Sequence, residues 1–491
     1  MRSKYVEIIK EYIQQKPEYK STLNELKACV LTIGATEEEL DEAIKELSGL
    51  PGASNLILKE GLQNQQNTNK FADFFRYHLR IRKGYAIALA VAVIIGIGLT
   101  RFNSFSPNYK IVQTVPLASK PTPAIKPIQV VYANSNPVDP DQIFSIKSPK
   151  TPLAITGKPK KEILGFFPYW MLPDESKIDL STVTSISLFG LEVDSTGNIA
   201  SGNDDQTDNG SMWKDPDLDD LIKRARNQDI KIYLTLKAFN DASIENISQS
   251  DAAQKNLIAN ALYLVNSKQL DGINIDFEYL GDPTDAVRNG FTRLIFNLDS
   301  ELKRQVPNAV LTIDTYLVSG SQKQLFNIPV LAKNVDAFVI MGYDMHTPLG
   351  GPGPVAAMGG ATNIVGYVQN YLEQVPSSKL ILAVPYYGYD WPKNVVNPTA
   401  DLVKTLPYAE IAQQNKNSQL SWDDISQTPY FTYKDDSGIA RVVHFDNVRS
   451  LGIKYDFINE KNLKGVGIWT LGYDGQNQDL EKLLIDKFIN Q

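Results

Sequence analysis

The chain has 491 residues, 43% hydrophobic and 21% charged, with a formal net charge of −7. That is the composition of a folded protein long enough for more than one module, and its acidic balance offers nucleic acid no basic surface. The single cysteine, Cys29, excludes an intramolecular disulfide; three scattered histidines, His78, His346 and His444, make no zinc signature, so neither metal nor cofactor is expected.

Residues 1–70 open the chain as a small helical module. "SKYVEIIKEYIQQ" and "TEEELDEAIKELSG" carry apolar residues at helical spacing; in the second, Thr36 and Glu39 make a capping-box pattern and Gly49 a stop. A helix-turn-helix is the competing pattern, but its second helix is acidic and unsuited to phosphates. The module is therefore expected to meet a cytoplasmic protein partner.

"GYAIALAVAVIIGIGLT" (84–100) is uncharged and follows Arg76, Arg80, Arg82 and Lys83. At about 1.5 Å per residue it reaches roughly 25 Å, enough for a short transmembrane helix. The basic flank places the N-terminal side in the cytoplasm and the rest of the chain outside it. A cleavable signal peptide does not fit so long a preceding segment. Residues 101–160, with "VPLASKPTPAIKPIQ" and "SPKTPLAITGKPKK", read as a Pro-rich extracytoplasmic linker.

From 161 to 491, strand and helix patterns alternate. Eight apolar runs, "ILGFFPYW", "VTSISLFGLEV", "IKIYLTLKAF", "DGINIDFEYL", "AVLTIDTYLV", "VDAFVIMGYDMH", "LILAVPYYGYDW" and "GVGIWTLGYD", are separated by amphipathic segments such as "DLDDLIKRARNQ" and "AVRNGFTRLIFNLDSELKRQ". This is the order of an α/β (β/α)8 TIM barrel. A doubly wound open sheet is the alternative, but no Gly-rich phosphate loop follows the first strand. Between strands seven and eight, about 393–464, "YFTYKDDSGIARVVHFDN" reads as a hairpin turning at Asp435-Asp436-Ser437-Gly438, within a small α+β insertion.

Catalytic side chains of such barrels project from the C-terminal ends of the strands. There this chain places Tyr169 and Trp170, then Asp276 and Glu278, then Met341, Tyr343 and Asp344, then Tyr386, Tyr387 and Tyr389, and finally Trp469. Aromatic rings around carboxylates suit a carbohydrate, with flat C–H faces to stack and hydroxyls to bond. Asn274, Asp276 and Glu278 alternate with Ile273, Ile275 and Phe277, so one face of the strand is polar. The Cα atoms of Asp276 and Glu278 are about 6.6 Å apart along one strand. Such neighbours do not bracket a sugar, as paired glycosidase carboxylates roughly 5–9.5 Å apart do. Glu278 suits a general acid, while Asp276 is badly placed for attack. A 2-acetamido group that supplies its own carbonyl oxygen as nucleophile resolves this, with Asp276 orienting the acetamide.

"DGINIDFE" resembles the strand-four signature of glycoside hydrolase family 18, Asp-Gly-x-x-x-Asp-x-Glu, and "MGYD", "GVGIWTLG" and "GFFPYW" are similar to other strands of that family. The resemblance covers 161–491. It implies Glu278 as acid/base, Asp276 as the acetamido-orienting residue and Tyr343 as its hydrogen-bonding companion, with Met341, Asp344 and Trp469 lining the sugar site. Tyr169 and Tyr387 join the candidate substrate contacts. Asn274 stands where chitinases of the family usually have Asp, and its amide is expected to keep a hydrogen bond to Asp276. "GINIDFE", "PYYGYDW" and "HFDNVRSLGIKYDF" look like the bacterial branch acting on peptidoglycan and spore cortex. The resemblance thus implies a retaining N-acetylglucosaminidase acting on peptidoglycan in preference to chitin, and the apolar stretch 84–100 would anchor it to the membrane. A catalytically silent sugar-binding barrel remains the alternative, as does an adaptor whose cytoplasmic helices matter most. Of the weaker signals, "PLGGPGPVAAMGG" (348–360) is either a mobile loop over the cleft or a plain surface loop. "NDDQTDNG" (203–210) reads as a solvated acidic loop, without the spacing of a calcium site.

Overall fold

The computed structural model describes residues 146, 148–199, 212–320, 324–348, 350–393, 402–415 and 419–490. The helical module, the apolar stretch 84–100 and the acidic loop 203–210 lie outside them. Among the described residues no helix is long and apolar enough to cross a membrane.

Eight parallel strands close into a barrel. They are β1 (Glu162–Pro168), β2 (Ser185–Glu192), β3 (Lys231–Ala238), β4 (Gly272–Phe277), β5 (Val310–Tyr316), β6 (Ala337–Met341), β7 (Leu380–Pro385) and, last in the chain, Gly465–Trp469, which pairs with both β7 and β1. All eight apolar runs supply a barrel strand, because both faces of such strands are covered. The helices between them start on side-chain caps: Asp215 accepts from Asp217 N, Ser250 from Ala253 N, Thr284 from Val287 N and Asn363 from Gly366 N. At the bottom, Asp271 takes the N–H of Ile232 and Asp336 that of Leu311, each at 2.8 Å. These carboxylates satisfy strand donors that the ladder leaves open. Gly272 is required beside Asp271, since a Cβ there would lie 2.1 Å from the Val310 carbonyl oxygen.

The barrel interior is divided. Leu164 and Phe166 of β1, Tyr233 of β3, Ala337 and Val339 of β6, and Ile381 and Ala383 of β7 form an apolar plug beneath Tyr343 and Trp469. Across the barrel, Ser187 and Thr235 share a 2.7 Å hydrogen bond, and buried Asn274, Thr312 and Asp314 carry the polar side. Buried polar groups persist only where they are paired or have work to do.

The seventh apolar run serves two sheets. It breaks at Tyr386, and Tyr387–Pro392 forms β8 of a separate antiparallel sheet with β9 (Lys404–Pro407), β10 (Ser421–Asp423), β11 (Thr428–Lys434) and β12 (Ala440–Phe445), in the order β10-β11-β12-β8-β9. The inserted sheet therefore begins at Tyr387, ahead of the expected 393, and ends at Phe445. Val448–Glu460 is a helix leading into the last barrel strand, capped by an Asn447–Ser450 box. The β11–β12 hairpin turns where expected: Asp435 Oδ1 accepts from Ser437 N and Ile439 N, and Gly438 takes φ +78°. At the centre of this sheet Asp390 is fully buried, paired with Arg441 (2.9 Å) and accepting from Tyr433 (2.7 Å).

The end of the expected linker is part of this unit. Ile146 is buried and its N–H donates to Asp174. Lys150 is clamped between Asp474 and Glu481, and the Lys160 N–H reaches the Phe488 carbonyl at 2.9 Å. A Pro-rich sequence thus acts here as a strap over the barrel, held by a buried ion triad whose two carboxylates share one ammonium.

Candidate active site

The mouth of the barrel gathers the strand ends. Asn274 and Asp276 are buried on β4; Glu278 follows the strand, half-buried, its N–H bonded to the Ala238 carbonyl. Asn274 does not hold Asp276. Its amide donates to Asp314 Oδ2 (2.8 Å) and accepts from the Thr312 hydroxyl (2.6 Å), which leaves Asp276 Oδ1 buried with no hydrogen-bond partner. The expected bond fails because Asp314 and Thr312 on β5 take both ends of the amide, in a register that pairs Asn274 with Thr312. Tyr316, also on β5, donates to Glu278 Oε2 at 3.5 Å.

Electrostatically this is a carboxylate cluster poor in cations. Burial pushes Asp276 up to about 7, with Lys237 pulling the other way. Glu278 is raised well above the usual carboxylate range by burial first, then by the charges of Asp276 and Asp344, against the Tyr316 hydrogen bond and Lys237. Asp314 is likewise raised by burial and by Asp276. Carboxyls this close titrate as a group, and the arrangement favours a protonated Glu278 near neutral pH.

Tyr343 lies in the loop after β6, half-buried, and feels the charges of Asp314, Asp276, Asp344 and Glu278. Met341 ends β6. Asp344 holds a left-handed backbone, φ +57°, which non-glycine residues seldom adopt. Its carboxylate accepts from the hydroxyls of both Tyr387 and Tyr389, the latter at 2.8 Å. Those tyrosines belong to β8 of the inserted sheet, not to the end of barrel strand seven, and both are buried. The Tyr387 hydroxyl is thus engaged by Asp344, and its ring meets Tyr343 edge-on at 6.1 Å. In this way the inserted sheet braces the loop after β6.

On the opposite rim Trp469 is half-buried, with Phe189 edge-on at 4.7 Å, Phe166 at 5.6 Å and Trp170 at 6.4 Å. Trp170 follows β1 in a short helical turn (Tyr169–Lys177) and donates to the Tyr473 hydroxyl; Tyr169 packs against it. Next to Phe189, β2 shifts register between Leu188 and Leu191, where Gly190 takes φ +152° and a Cβ would crowd the Tyr169 ring at 3.0 Å. The loop at 348–360 is not a free flap. Val355, Ala356, Ala357 and Met358 are buried, and the Met358 N–H donates to the Ser426 carbonyl of the inserted region.

Asp314, Tyr316, Lys237 and Phe189 are site residues beyond those the sequence patterns suggested. Asp314 and Tyr316 repeat in part the signal that marked β4: in "LTIDTY" Thr312, Asp314 and Tyr316 alternate with Leu311, Ile313 and Thr315. Among the described residues no group of three or more His, Cys, Asp or Glu side chains is placed to hold a metal ion.

The sequence profile described as "Glycosyl hydrolases family 18" matches residues 162–474. A Bacillus subtilis (strain 168) protein named as a sporulation-specific glycosylase is 29% identical over 313 residues, covering 59% of this chain and 66% of that one. The cortical fragment-lytic enzyme of the same organism is 26% identical over 272 residues, covering 54% of this chain and 62% of that one. This chain thus spans less than two thirds of the length of either relative. The solved spore cortex-lytic enzyme of Bacillus megaterium QM B1551 superposes with a TM-score of 0.54 at 23% identity, over 69% of this chain and 76% of that one, a likeness of fold.

Proposed function

This chain belongs to the glycosyl hydrolases of family 18, and from its site we propose that it hydrolyses β-linked N-acetylglucosamine glycans with retention, Glu278 serving as acid/base and the substrate's own acetamide as nucleophile. The observation that carries the reading is the placement of the carboxylates. Asp276 ends the polar face of β4 and Glu278 follows two residues on; of the two further carboxylates, Asp314 holds Asn274 through Oδ2 with Oδ1 unpartnered, and Asp344 holds the two tyrosines. Protonated Glu278 delivers its proton to the glycosidic oxygen as the C–O bond breaks. The acetamido carbonyl oxygen attacks the anomeric carbon from the other face and forms an oxazolinium ion, whose positive charge Asp276 faces. Water, deprotonated by Glu278, then opens that ion with a second inversion. Tyr343 is close enough to the cluster to donate to the acetamido oxygen, and Trp469 offers an apolar floor beneath the cleaved sugar.

Peptidoglycan is the favoured glycan, on the motif resemblances and on relatives named for sporulation and spore cortex. Product mass spectrometry tests this. Purified peptidoglycan should release fragments with N-acetylglucosamine at the new reducing end, faster than chitin oligomers of equal length are cut. Muramic acid at that end, or cleavage of chitin alone, would reject the assignment.

Residues 84–100 are proposed as a single-pass anchor, with 1–70 in the cytoplasm facing a protein partner and the barrel outside. The full chain should then sediment with membranes, resist high-salt extraction and lose the barrel to external protease in intact cells. A chain recovered in the soluble fraction contradicts the anchor.

A further inference from the structure

We propose that Lys237, at the end of β3, is a positioning residue that keeps Asp276 anionic while substrate is bound. The inference rests on the function proposed above and adds a residue to it. Lys237 pairs in register with Asp276 across the β3–β4 ladder. On neighbouring parallel strands such partners point to the same face, about 4.8 Å apart at the backbone. Lys237 is only 8% exposed. Its Nζ lies over the rings of Phe239 (5.1 Å) and Phe189 (5.9 Å), and its nearest carboxylate in an ion pair, Glu192 on β2, is 3.8 Å away with a half-exposed side chain. This buried ammonium has no close ion pair, and its charge acts on Asp276 and Glu278.

Asp276 has need of it. Its surroundings are Asn274 and Glu278 on its own strand, Asp314 on β5, and Tyr343 and Asp344 after β6. Asn274 gives its N–H to Asp314, and Asp276 Oδ1 receives no hydrogen bond. Among the described residues Lys237 is the cation whose charge lowers Asp276, opposing the burial that raises it. The oxazolinium step needs a negative charge at Asp276, so an ammonium on the adjacent strand supplies what the amide of Asn274 does not.

The test compares K237M and K237R in the full chain, with K237Q replacing K237M if the latter does not fold. In wild type, kcat for an N-acetylglucosamine oligomer, which reports the substrate-bound enzyme, should fall on an acid limb as Asp276 takes up its proton. Loss of the ammonium should move that limb up by about one pH unit or more, the size expected of an opposite charge at this range, and K237R should restore it. Below the limb K237M then loses about tenfold, and it regains rate at higher pH. A lysine with a merely structural role would lower the rate equally at every pH, and an unmoved limb overturns the proposal. Asp276 is also titrated directly, by carbon-13 carboxyl labelling of aspartate with D276N for assignment. Its midpoint should rise in K237M and not in K237R; coincident midpoints overturn the proposal even if the wild-type chain cleaves no glycan, an outcome that would sink the enzyme assignment separately.

Discussion

Glu278→Gln is expected to keep the barrel folded and able to hold its glycan while turnover drops by about three to four orders of magnitude, the usual share of a positioned general acid. Gln has nearly the shape of Glu and can still accept from the Tyr316 hydroxyl. It cannot release a proton to the leaving oxygen, nor later take one from water. The acid is needed because the leaving group is a sugar alkoxide, far too basic to depart unprotonated. The site supports a protonated Glu278 through burial and through the charges of Asp276 and Asp344. The substitution should cost little stability, since Gln replaces a carboxyl that burial and the neighbouring Asp276 and Asp344 already favour in its neutral form. Steady-state rates on a chromogenic N-acetylglucosamine oligomer, with thermal unfolding as control, decide the matter. A folded variant that keeps more than a tenth of the wild-type rate removes Glu278 from the role.

Much of this site was legible in the one-dimensional chain, and what was not has physical reasons. The β4 signature stood out because polar groups at every second position break a strand that is otherwise apolar. The same alternation in β5 holds Asp314 and Tyr316 and needed only the same reading. Lys237 was harder. In "IKIYLTLKAF" a lysine on the polar face of a strand is usually solvated, and here its ammonium lies over Phe239, next on its own chain, and over Phe189 of β2, a strand whose register shifts between Leu188 and Leu191. The aromatic run "LILAVPYYGYDW" does carry Pro385 and Gly388 on either side of its break at Tyr386, but these alone do not say where the chain goes next. That it feeds two sheets follows from β8 pairing with β12, more than fifty residues downstream. The strap at Lys150 likewise depends on Asp474 and Glu481, over three hundred residues away, so a local reading could see only a proline-rich spacer. Asn274 shows the opposite error: the motif was read correctly, but its amide was assigned to the wrong partner because the competing acceptor lies on the next strand.

Fully N-deacetylated oligomers of β-1,4-glucosamine are expected to bind and yet be cleaved at least about a thousandfold more slowly than their acetylated counterparts. The attacking oxygen is part of the acetamide, held next to the anomeric carbon by the sugar ring itself. Intramolecular attack of this kind is worth effective molarities of roughly 10⁵ M or more, which no water in the mouth of the barrel can replace. Asp344 is a poor substitute, since the hydrogen bonds from the two tyrosines hold its carboxylate, and Asp314 sits deeper in the barrel, on β5, tied to Asn274 through Oδ2. The free amine, moreover, is an ammonium at neutral pH and would sit against Asp276, the group meant to face positive charge later in the reaction. Ground-state binding should therefore hold or tighten while kcat collapses, so that the deacetylated oligomer acts as a competitive inhibitor of the acetylated one. Rapid hydrolysis of the deacetylated chain would mean that a protein carboxylate makes the bond, and Asp344, released from Tyr387 and Tyr389, would be the first to examine for a covalent glycosyl adduct.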